Sequence, residues 1–440
     1  MADFAVSSDP AVQRQLDRLA TLSPGADTLG LERVSALLDR LDNPERALPP
    51  VFHVAGTNGK GSTCAFLRAA VEASGRKVHV YTSPHLVRFN ERIRIAGSLI
   101  EDELLASLLA EVLDIAEGIS PSFFEVTTAA AFLAFARHPA DACIIEVGLG
   151  GRLDATNVLE KPVMCGIAQL GIDHQFFLGD RIEQIAAEKA GIAKHGVPLV
   201  TLHYPASQAN EIGRAVAAVG ALWLDKGGVW DASAYRGKLH YRDEAGELEL
   251  PLPRLPGAHQ AANAALAVAM LRHQNAIEIP VASLRAAMGW AEWPARLQRL
   301  ATGPIPALLP AGSELWLDGG HNPAAGRAVA DFFRNRLAPG RPFHLILGML
   351  ANKDLRGFLE PFAGSHAFIH AVPVEGHEHH DAAAVRSAAS ELGLTADSAP
   401  DAAAALRAIA AADGAAPLVL IGGSLYMAGT VLAANGTPPT

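Results

Sequence analysis

Val51-Phe-His-Val-Ala-Gly-Thr-Asn-Gly-Lys-Gly-Ser-Thr63 is the stretch from which the rest of the chain can be read. A short apolar run ends in a glycine-punctuated turn, and an apolar segment suited to a helix, Cys64-Ala-Phe-Leu-Arg-Ala-Ala-Val71, follows at once. The order is strand, loop, helix. Gly56, Gly59 and Gly61 leave room for backbone to wrap an anion, the helix start directs free N–H groups at it, and Lys60 adds a mobile positive charge. This is a cradle for nucleotide phosphates. It is a tight variant: only two residues separate Gly56 from Gly59, and Gly61 stands where Ser or Thr ordinarily follows the lysine. The magnesium-binding hydroxyl must then come from Ser62, Thr63 or a more distant residue. The ordinary alternative is a glycine-rich turn into a helix, but it does not account for strand, glycines, lysine and hydroxyls falling together.

At 440 residues the chain exceeds one typical core, so two domains are expected. Half the residues are hydrophobic and only 6% aromatic, which suits Ala-, Val- and Leu-rich helices packed on a sheet. The balance of 36 basic against 46 acidic residues, a net charge of -10, gives no broad electrostatic footprint for nucleic acid. The three cysteines, Cys64, Cys143 and Cys165, lack metal-ligand spacing and fit a reduced compartment. The first residues show no basic stretch followed by an apolar one, and no apolar run approaches the roughly 20 residues of a membrane span. The expectation is a cytoplasmic, monomeric protein that binds neither membrane nor nucleic acid.

Residues 11–22 and 31–41 have helical spacing, with Asp27-Thr-Leu-Gly30 as a loop between them. After the phosphate loop, Lys77 to Thr82 reads as a strand and Ser83-Pro-His-Leu as the turn at its end. Ligands of open α/β sheets bind where parallel strands end, which makes Ser83 a candidate for the missing hydroxyl. Asp102–Ala116 and Phe124–Ala136 read as helices and Asp141–Val147 as a buried strand. Glu146 stands at the end of that strand, before Gly148-Leu-Gly-Gly-Arg-Leu-Asp154, where a carboxylate can hold magnesium or its water opposite the phosphate loop. A further strand, Val163–Gln169, ends at Gly171-Ile-Asp-His174. Asp180–Lys194 reads as a helix in which Lys189, on spacing alone, is a solvated or salt-bridged lysine.

Residues from about 205 to 255 look less regular, apart from a hairpin at Leu239-His-Tyr-Arg and Glu247-Leu-Glu-Leu-Pro. Gln260 and Asn263 precede a helix from Ala264 to His273; they suit either base or ribose recognition or helix capping. A domain boundary is expected near Ala291-Glu-Trp-Pro-Ala-Arg-Leu-Gln298, dividing the chain into 1–293 and 294–440. Beyond it, strand and helix alternate again as a second α/β domain. Its most informative turn is Asp318-Gly-Gly-His-Asn-Pro323, where acid, imidazole and amide stand between a strand and a helix. The histidines of His377-Glu-His-His380 read as a polar loop rather than a metal site.

Together these motifs resemble one family. Leu29-Gly-Leu-Glu-Arg-Val34, Val54-Ala-Gly-Thr-Asn-Gly-Lys-Gly-Ser62, Tyr81-Thr-Ser-Pro-His-Leu86, Phe124-Glu125 and Glu146-Val-Gly-Leu-Gly-Gly-Arg-Leu-Asp-Ala-Thr-Asn157 carry the resemblance. So do Asp173-His174, Glu188-Lys-Ala-Gly-Ile192, Asp318-Gly-Gly-His-Asn-Pro323 and Gly348-Met-Leu, in order over nearly the whole chain. The sequence resembles the Mur-ligase superfamily, and within it the folylpolyglutamate synthases, including bacterial bifunctional dihydrofolate synthase/folylpolyglutamate synthases. The departures are mild: Gly320 stands where alanine is common, and Gly257-Ala-His-Gln varies a loosely patterned loop, which leaves Gln260 and Asn263 as alternatives.

The resemblance implies an α/β fold: an N-terminal P-loop ATPase-type Mur-ligase central domain with a mostly parallel sheet, then a C-terminal Rossmann-like α/β domain. It implies an ATP-dependent carboxylate–amine ligase that adds L-glutamate to dihydropteroate or to the γ-carboxyl of folate glutamates. Thr57, Asn58, Gly59, Lys60, Gly61 and Ser62 would hold ATP phosphates, and Gln260 or Asn263, Arg296, Asp318 and His321 would contact the nucleotide. Ser83, Glu146 and His174 would bind one of one or two magnesium ions. Lys189 would carry a carbamate from carbon dioxide and orient the second. Lys60, His174 and Lys189 would be catalytic. Asp27, Thr28, Leu29, Ser122, Phe123, Phe124, Glu125, Arg152, Leu153 and Asp154 would bind the pterin substrate. Two other readings stay open: a Mur-type cell-wall ligase acting on UDP-linked peptides, and a nucleotide-gated switch that hydrolyses ATP without joining substrates.

Overall fold

The computed structural model describes residues 5–22, 29–338, 340–412 and 416–440. The chain separates into two compact units. The first holds the residues up to Arg254, then Gln260–Glu292 and Thr440; the second holds Leu255–His259 and Trp293–Pro439. Leu255–His259 thus joins a unit from which it is distant in sequence, and Trp293 lies on the second unit's side of the division expected after residue 293.

The first unit is built on an eight-stranded sheet. Its strands are β1 (Val51–Ala55), β2 (Val78–Tyr81), β3 (Ile93–Ile95), β4 (Ser98–Leu99), β5 (Ala142–Glu146), β6 (Met164–Ile167), β7 (Pro198–Thr201) and β8 (Leu222–Asp225). The order is β4-β3-β2-β5-β1-β6-β7-β8; β2 to β8 run parallel through β1, and only β3 and β4 at one edge are antiparallel. β1, β2, β5 and β6 are buried along their whole length, as expected of strands covered on both faces. One face packs against helices Pro10–Leu22, Glu32–Asp39, Asp102–Asp114 and Phe123–Arg137. The apolar side chains of Ile182–Ala190 and Ala206–Val219 form a separate core with β6 and β7.

The stretch from 205 to 255 is more regular than its sequence suggests. Ala206–Val219 is a helix that buries only Ile212 and Val216, so its apolar stripe is too narrow to stand out. The expected hairpin is present as β10 (Lys238–Asp243) and β11 (Gly246–Pro251), and β9 (Asp231–Tyr235) adds a third antiparallel strand. Helix His259–Arg272 begins before the expected Ala264, which puts Gln260 and Asn263 inside its first turns rather than ahead of it.

The second unit has a six-stranded sheet, β12-β13-β17-β14-β15-β16, all parallel except the edge strand β12. These are Gln298–Leu300, Glu314–Asp318, Phe343–Leu347, Phe368–Ala371, Thr395–Ser398 and Leu418–Gly422 for β12 to β17. Phe333, Phe343, Phe358 and Phe362 fill its core. The α/β class read from the sequence holds in both units.

Candidate functional site

In the first unit β1 runs between β5 and β6, and the sequence turns directly from its end into the helix Lys60–Ala73. Gly59 sits at that helix start with φ 86°, and a Cβ there would fall 2.3 Å from Asn263 Oδ1, so glycine is required twice over. The loop is tied to the end of β6: the Thr57 amide donates to the Gln169 carbonyl (2.8 Å) and the Thr57 hydroxyl to that of Gly171 (2.9 Å). Lys60 curls back over its own loop and donates to the carbonyls of Gly56 (3.1 Å) and Thr57 (3.4 Å). The helix begins at Lys60 rather than Cys64, which buries Gly61, Ser62 and Thr63.

Glu146 pairs in register with Val54, which brings its carboxylate beside the phosphate loop, and it is 4% exposed. The Ser83 amide donates to Glu146 Oε2 (3.3 Å), so two of the expected magnesium residues meet. His174 adopts a left-handed backbone conformation (φ 53°), and its amide donates to Asp173 Oδ1 (2.8 Å). Among the described residues no three His, Cys, Asp or Glu side chains are grouped as a metal cluster. The carboxylate and hydroxyl oxygens of Glu146 and Ser83 are nonetheless of the kind that magnesium takes, with other positions left to phosphate and water.

Lys189 is buried on helix Ile182–Ala190. Burial, reinforced by the positive charge of Lys60, pushes its ammonium down to about 7, against the opposing pull of Asp173, Asp154 and Glu188. Lys60 in turn acts on Asp154, whose carboxyl burial raises. Lys60, Asp154, Asp173 and Lys189 therefore form one electrostatic group, a set no sequence spacing reveals.

The segment Gly148–Asp154 packs tightly on its neighbours. A Cβ on Gly148 would meet the Phe124 ring at 2.3 Å, and one on Gly151 would meet the Glu188 carbonyl at 2.7 Å. Arg152 is exposed but bound to Glu188, its Nε donating at 3.0 Å and its amide to the Glu188 carbonyl at 2.8 Å. Asp154 is buried and accepts from the amides of Leu149 (2.8 Å) and Thr156 (3.0 Å). Leu153 and Leu29 are half-buried; Asp27 and Thr28 lie outside the described residues.

Glu125 has partners on its own chain. It closes a capping box with Ser122 at the start of Phe123–Arg137 and takes both Nε (3.0 Å) and a terminal nitrogen (2.9 Å) of Arg33. Phe123 is buried against Phe89 and beneath Arg92, whereas Phe124 is half-buried against the Gly148 loop. Arg33 was absent from the expected site; its place inside Leu29-Gly-Leu-Glu-Arg-Val34 was the available signal. Gln260 and Asn263 are both buried, and the Asn263 amide donates to Gln260 Oε1 (3.0 Å), so they act as a pair. Gln260 Nε2 has no hydrogen-bond partner among the described residues.

In the second unit, Asp318 Oδ2 accepts from the Leu297 amide (2.8 Å) and Oδ1 from that of Gly320 (2.7 Å). This ties the strand-end turn to Ala295-Arg296-Leu297, where Ala295 (φ 54°) and Leu297 (φ 45°) both hold left-handed conformations on either side of Arg296. Such strain persists where surrounding structure enforces it and clusters at functional turns. A Cβ on Gly319 would lie 3.1 Å from an Arg296 terminal nitrogen, and His321 Nδ1 pairs with the Gly319 carbonyl (2.9 Å). Arg296 thus lies beside the turn that holds Asp318 and His321.

A glycine-rich phosphate loop on a parallel sheet, with an acidic strand end beside it and a second parallel α/β unit following in the chain, defines a nucleotide-using α/β enzyme. Residues 308–425 match the Mur ligase, glutamate ligase domain family. The dihydrofolate synthase/folylpolyglutamate synthase of Bacillus subtilis (strain 168) is 37% identical over 347 residues, covering 75% of this chain and 78% of that protein. E. coli FolC, solved in complex with DHPP and ADP, superposes with a TM-score of 0.85 at 33% identity, covering 97% of each chain. A bifunctional folylpolyglutamate synthase/dihydrofolate synthase solved with Mn, AMPPNP and L-glutamate bound gives 0.83 at 31%, covering 97% of this chain and 99% of that one. The chain belongs to the dihydrofolate synthase/folylpolyglutamate synthase family of ATP-dependent ligases.

Proposed function

We propose that the protein uses ATP to join L-glutamate to dihydropteroate, to the γ-carboxyl of folate glutamates, or to both. The observation that carries this reading is the glycine-rich loop between β1 and the helix that starts at Lys60, with Glu146 of the neighbouring strand in register beside β1. A carboxylate does not condense with an amine near neutral pH, because its charge repels the nucleophile and oxide is a poor leaving group. One carboxylate oxygen attacks the γ-phosphorus, the bond to the β–γ bridging oxygen breaks, and ADP departs, leaving an acyl phosphate. The glutamate nitrogen then attacks the acyl carbon, phosphate leaves with the bonding pair, and the nitrogen loses a proton to give the amide. Such a transfer needs alignment and charge neutralisation more than covalent help.

Lys60 is held by carbonyls of its own loop, so it can exchange those acceptors for phosphate oxygens without a large excursion. Loop amides from Thr57 to Ser62 would cradle the phosphates, with Gln260, Asn263, Arg296, Asp318 and His321 as nucleotide contacts. Ser83, Glu146 and His174 would hold magnesium, which when bound neutralises charge on the phosphates. Leu29, Phe124, Leu153 and Asp154 would contact the pterin; Ser122, Phe123, Glu125 and Arg152 shape that site through the bonds and packing described above.

Carbamate formation needs an uncharged amine, and a Lys189 ammonium brought down to about 7 supplies one near neutral pH. We assign this carbamate to Lys189, next to the phosphate loop. Protein equilibrated with 13C-bicarbonate should show a carbamate carbon resonance that Lys189→Met lacks; the same resonance in both would overturn the assignment. For the reaction itself, purified protein is given ATP, magnesium and radiolabelled glutamate with dihydropteroate, tetrahydrofolate or a UDP-linked peptide acceptor. Label is expected on a pterin acceptor, and label confined to the UDP-linked one would overturn the reading.

A further inference from the structure

We propose that His53 is a positioning residue for the acid substrate, acting through Thr156 to orient the carboxylate of Asp154. The inference rests on the reading of Asp154 as a pterin contact. His53 lies in the middle of β1 and is wholly buried, two residues before that strand ends at Ala55. Its Nε2 is 2.8 Å from Thr156 Oγ1, and that hydroxyl is 2.5 Å from Asp154 Oδ1.

The proton positions in this chain follow from counting donors. Asp154 Oδ1 also accepts the Thr156 amide and Oδ2 accepts the Leu149 amide, so the carboxylate is an acceptor on both oxygens. Thr156 has one hydroxyl proton, and at 2.5 Å from a carboxylate oxygen it points there. His53 can then meet Thr156 only by donating from Nε2. Its Nδ1 is left as a buried lone pair, and that atom has no hydrogen-bond partner among the described residues. The other tautomer would bury an unpaired N–H and draw the Thr156 hydroxyl toward the ring, breaking its bond to Asp154. Burial and the nearby charge of Lys194 bring the imidazole down to about 3, so the ring is neutral and Nδ1 keeps its lone pair throughout the working range.

Through this relay, a buried residue of the strand that leads into the phosphate loop fixes the plane of a carboxylate in the electrostatic group of Lys60 and Lys189. The relay is independent of the metal and of the second unit.

The test compares His53→Leu, which keeps an apolar volume without a donor, with His53→Gln, whose amide can donate to the same hydroxyl. KM for the pterin acid should rise roughly tenfold in His53→Leu, with KM for ATP unchanged, and return toward the parent value in His53→Gln. Thr156→Val alone should reproduce that rise, and His53→Leu should add nothing in a Thr156→Val background. ADP binding and the far-ultraviolet circular dichroism of each variant report on folding; if His53→Leu does not fold, the Thr156→Val and His53→Gln arms still decide. An unchanged KM in folded His53→Leu or Thr156→Val, alongside a raised KM in Asp154→Asn, would overturn the relay. Asp154→Asn with unchanged KM would instead overturn the pterin reading beneath it.

Discussion

Lys60 makes its two recorded hydrogen bonds to carbonyls of the loop it belongs to, so its removal costs little packing and much charge at the phosphate site. Lys60→Ala is expected to keep the fold and lose roughly 100- to 1,000-fold in ligation turnover, the scale on which a single preorganised electrostatic contact acts. Near-normal turnover in a variant with parent circular dichroism would remove Lys60 from the mechanism. Lys60 and Glu146 were legible because one starts the helix after a glycine-rich loop and the other ends a strand, positions the sequence marks by itself. The commitments of Glu125 to Arg33 and of Asp318 to the Leu297 amide were not legible. A carboxylate's partner is a matter of what folding brings opposite it, and the partners here are 92 and 21 residues away.

At the scale of elements, helix His259–Arg272 has a different duty at each end. Its first turns bring Asn263 against Gly59, and its last residue, Arg272, forms a two-pronged ion pair with Asp243 of β10 (2.6 Å at both contacts). The Asp243 side chain is 1% exposed. The small three-stranded sheet thus pins the helix that carries Gln260 and Asn263. Asp243→Ala leaves Arg272 without its partner and is expected to destabilise by about 3 kcal/mol. Because the same anchor holds the nucleotide-side residues, thermal unfolding should shift downward while KM for ATP rises and KM for glutamate stays put. A lowered melting temperature with unchanged KM for ATP would show that the anchor serves stability alone. Long helices such as Phe123–Arg137, buried along almost every position, were readable from their unbroken apolar run. Ala206–Val219 and β9 were not, because a surface helix or edge strand that buries two or fewer side chains leaves almost no pattern.

For the whole molecule, the stoichiometry of ADP release distinguishes a ligase from a switch. A ligase must withhold phosphoryl transfer until an acceptor carboxylate is bound, since ATP hydrolysis without one wastes the nucleotide. ADP release is therefore expected to depend on the acid and glutamate together, with one ADP formed per amide. Equal release in their absence would favour the switch, and a coupled-enzyme ADP assay separates the two. No helix among the described residues is long and apolar enough to cross a membrane.

The sequence by itself determined the phosphate loop, the alternation of strand and helix, and through its motif order the family, because each of these is local or is written along the chain. Only the tertiary structure decided that Leu255–His259 belongs with the second unit, that Gln260 and Asn263 act as a pair, and that Asp154, Lys60 and Lys189 share one field. The tautomer of His53 is also set by that structure. Charge coupling and hydrogen-bond direction depend on distances between residues far apart in the chain, and those distances exist only once the sheet has brought the strand ends together.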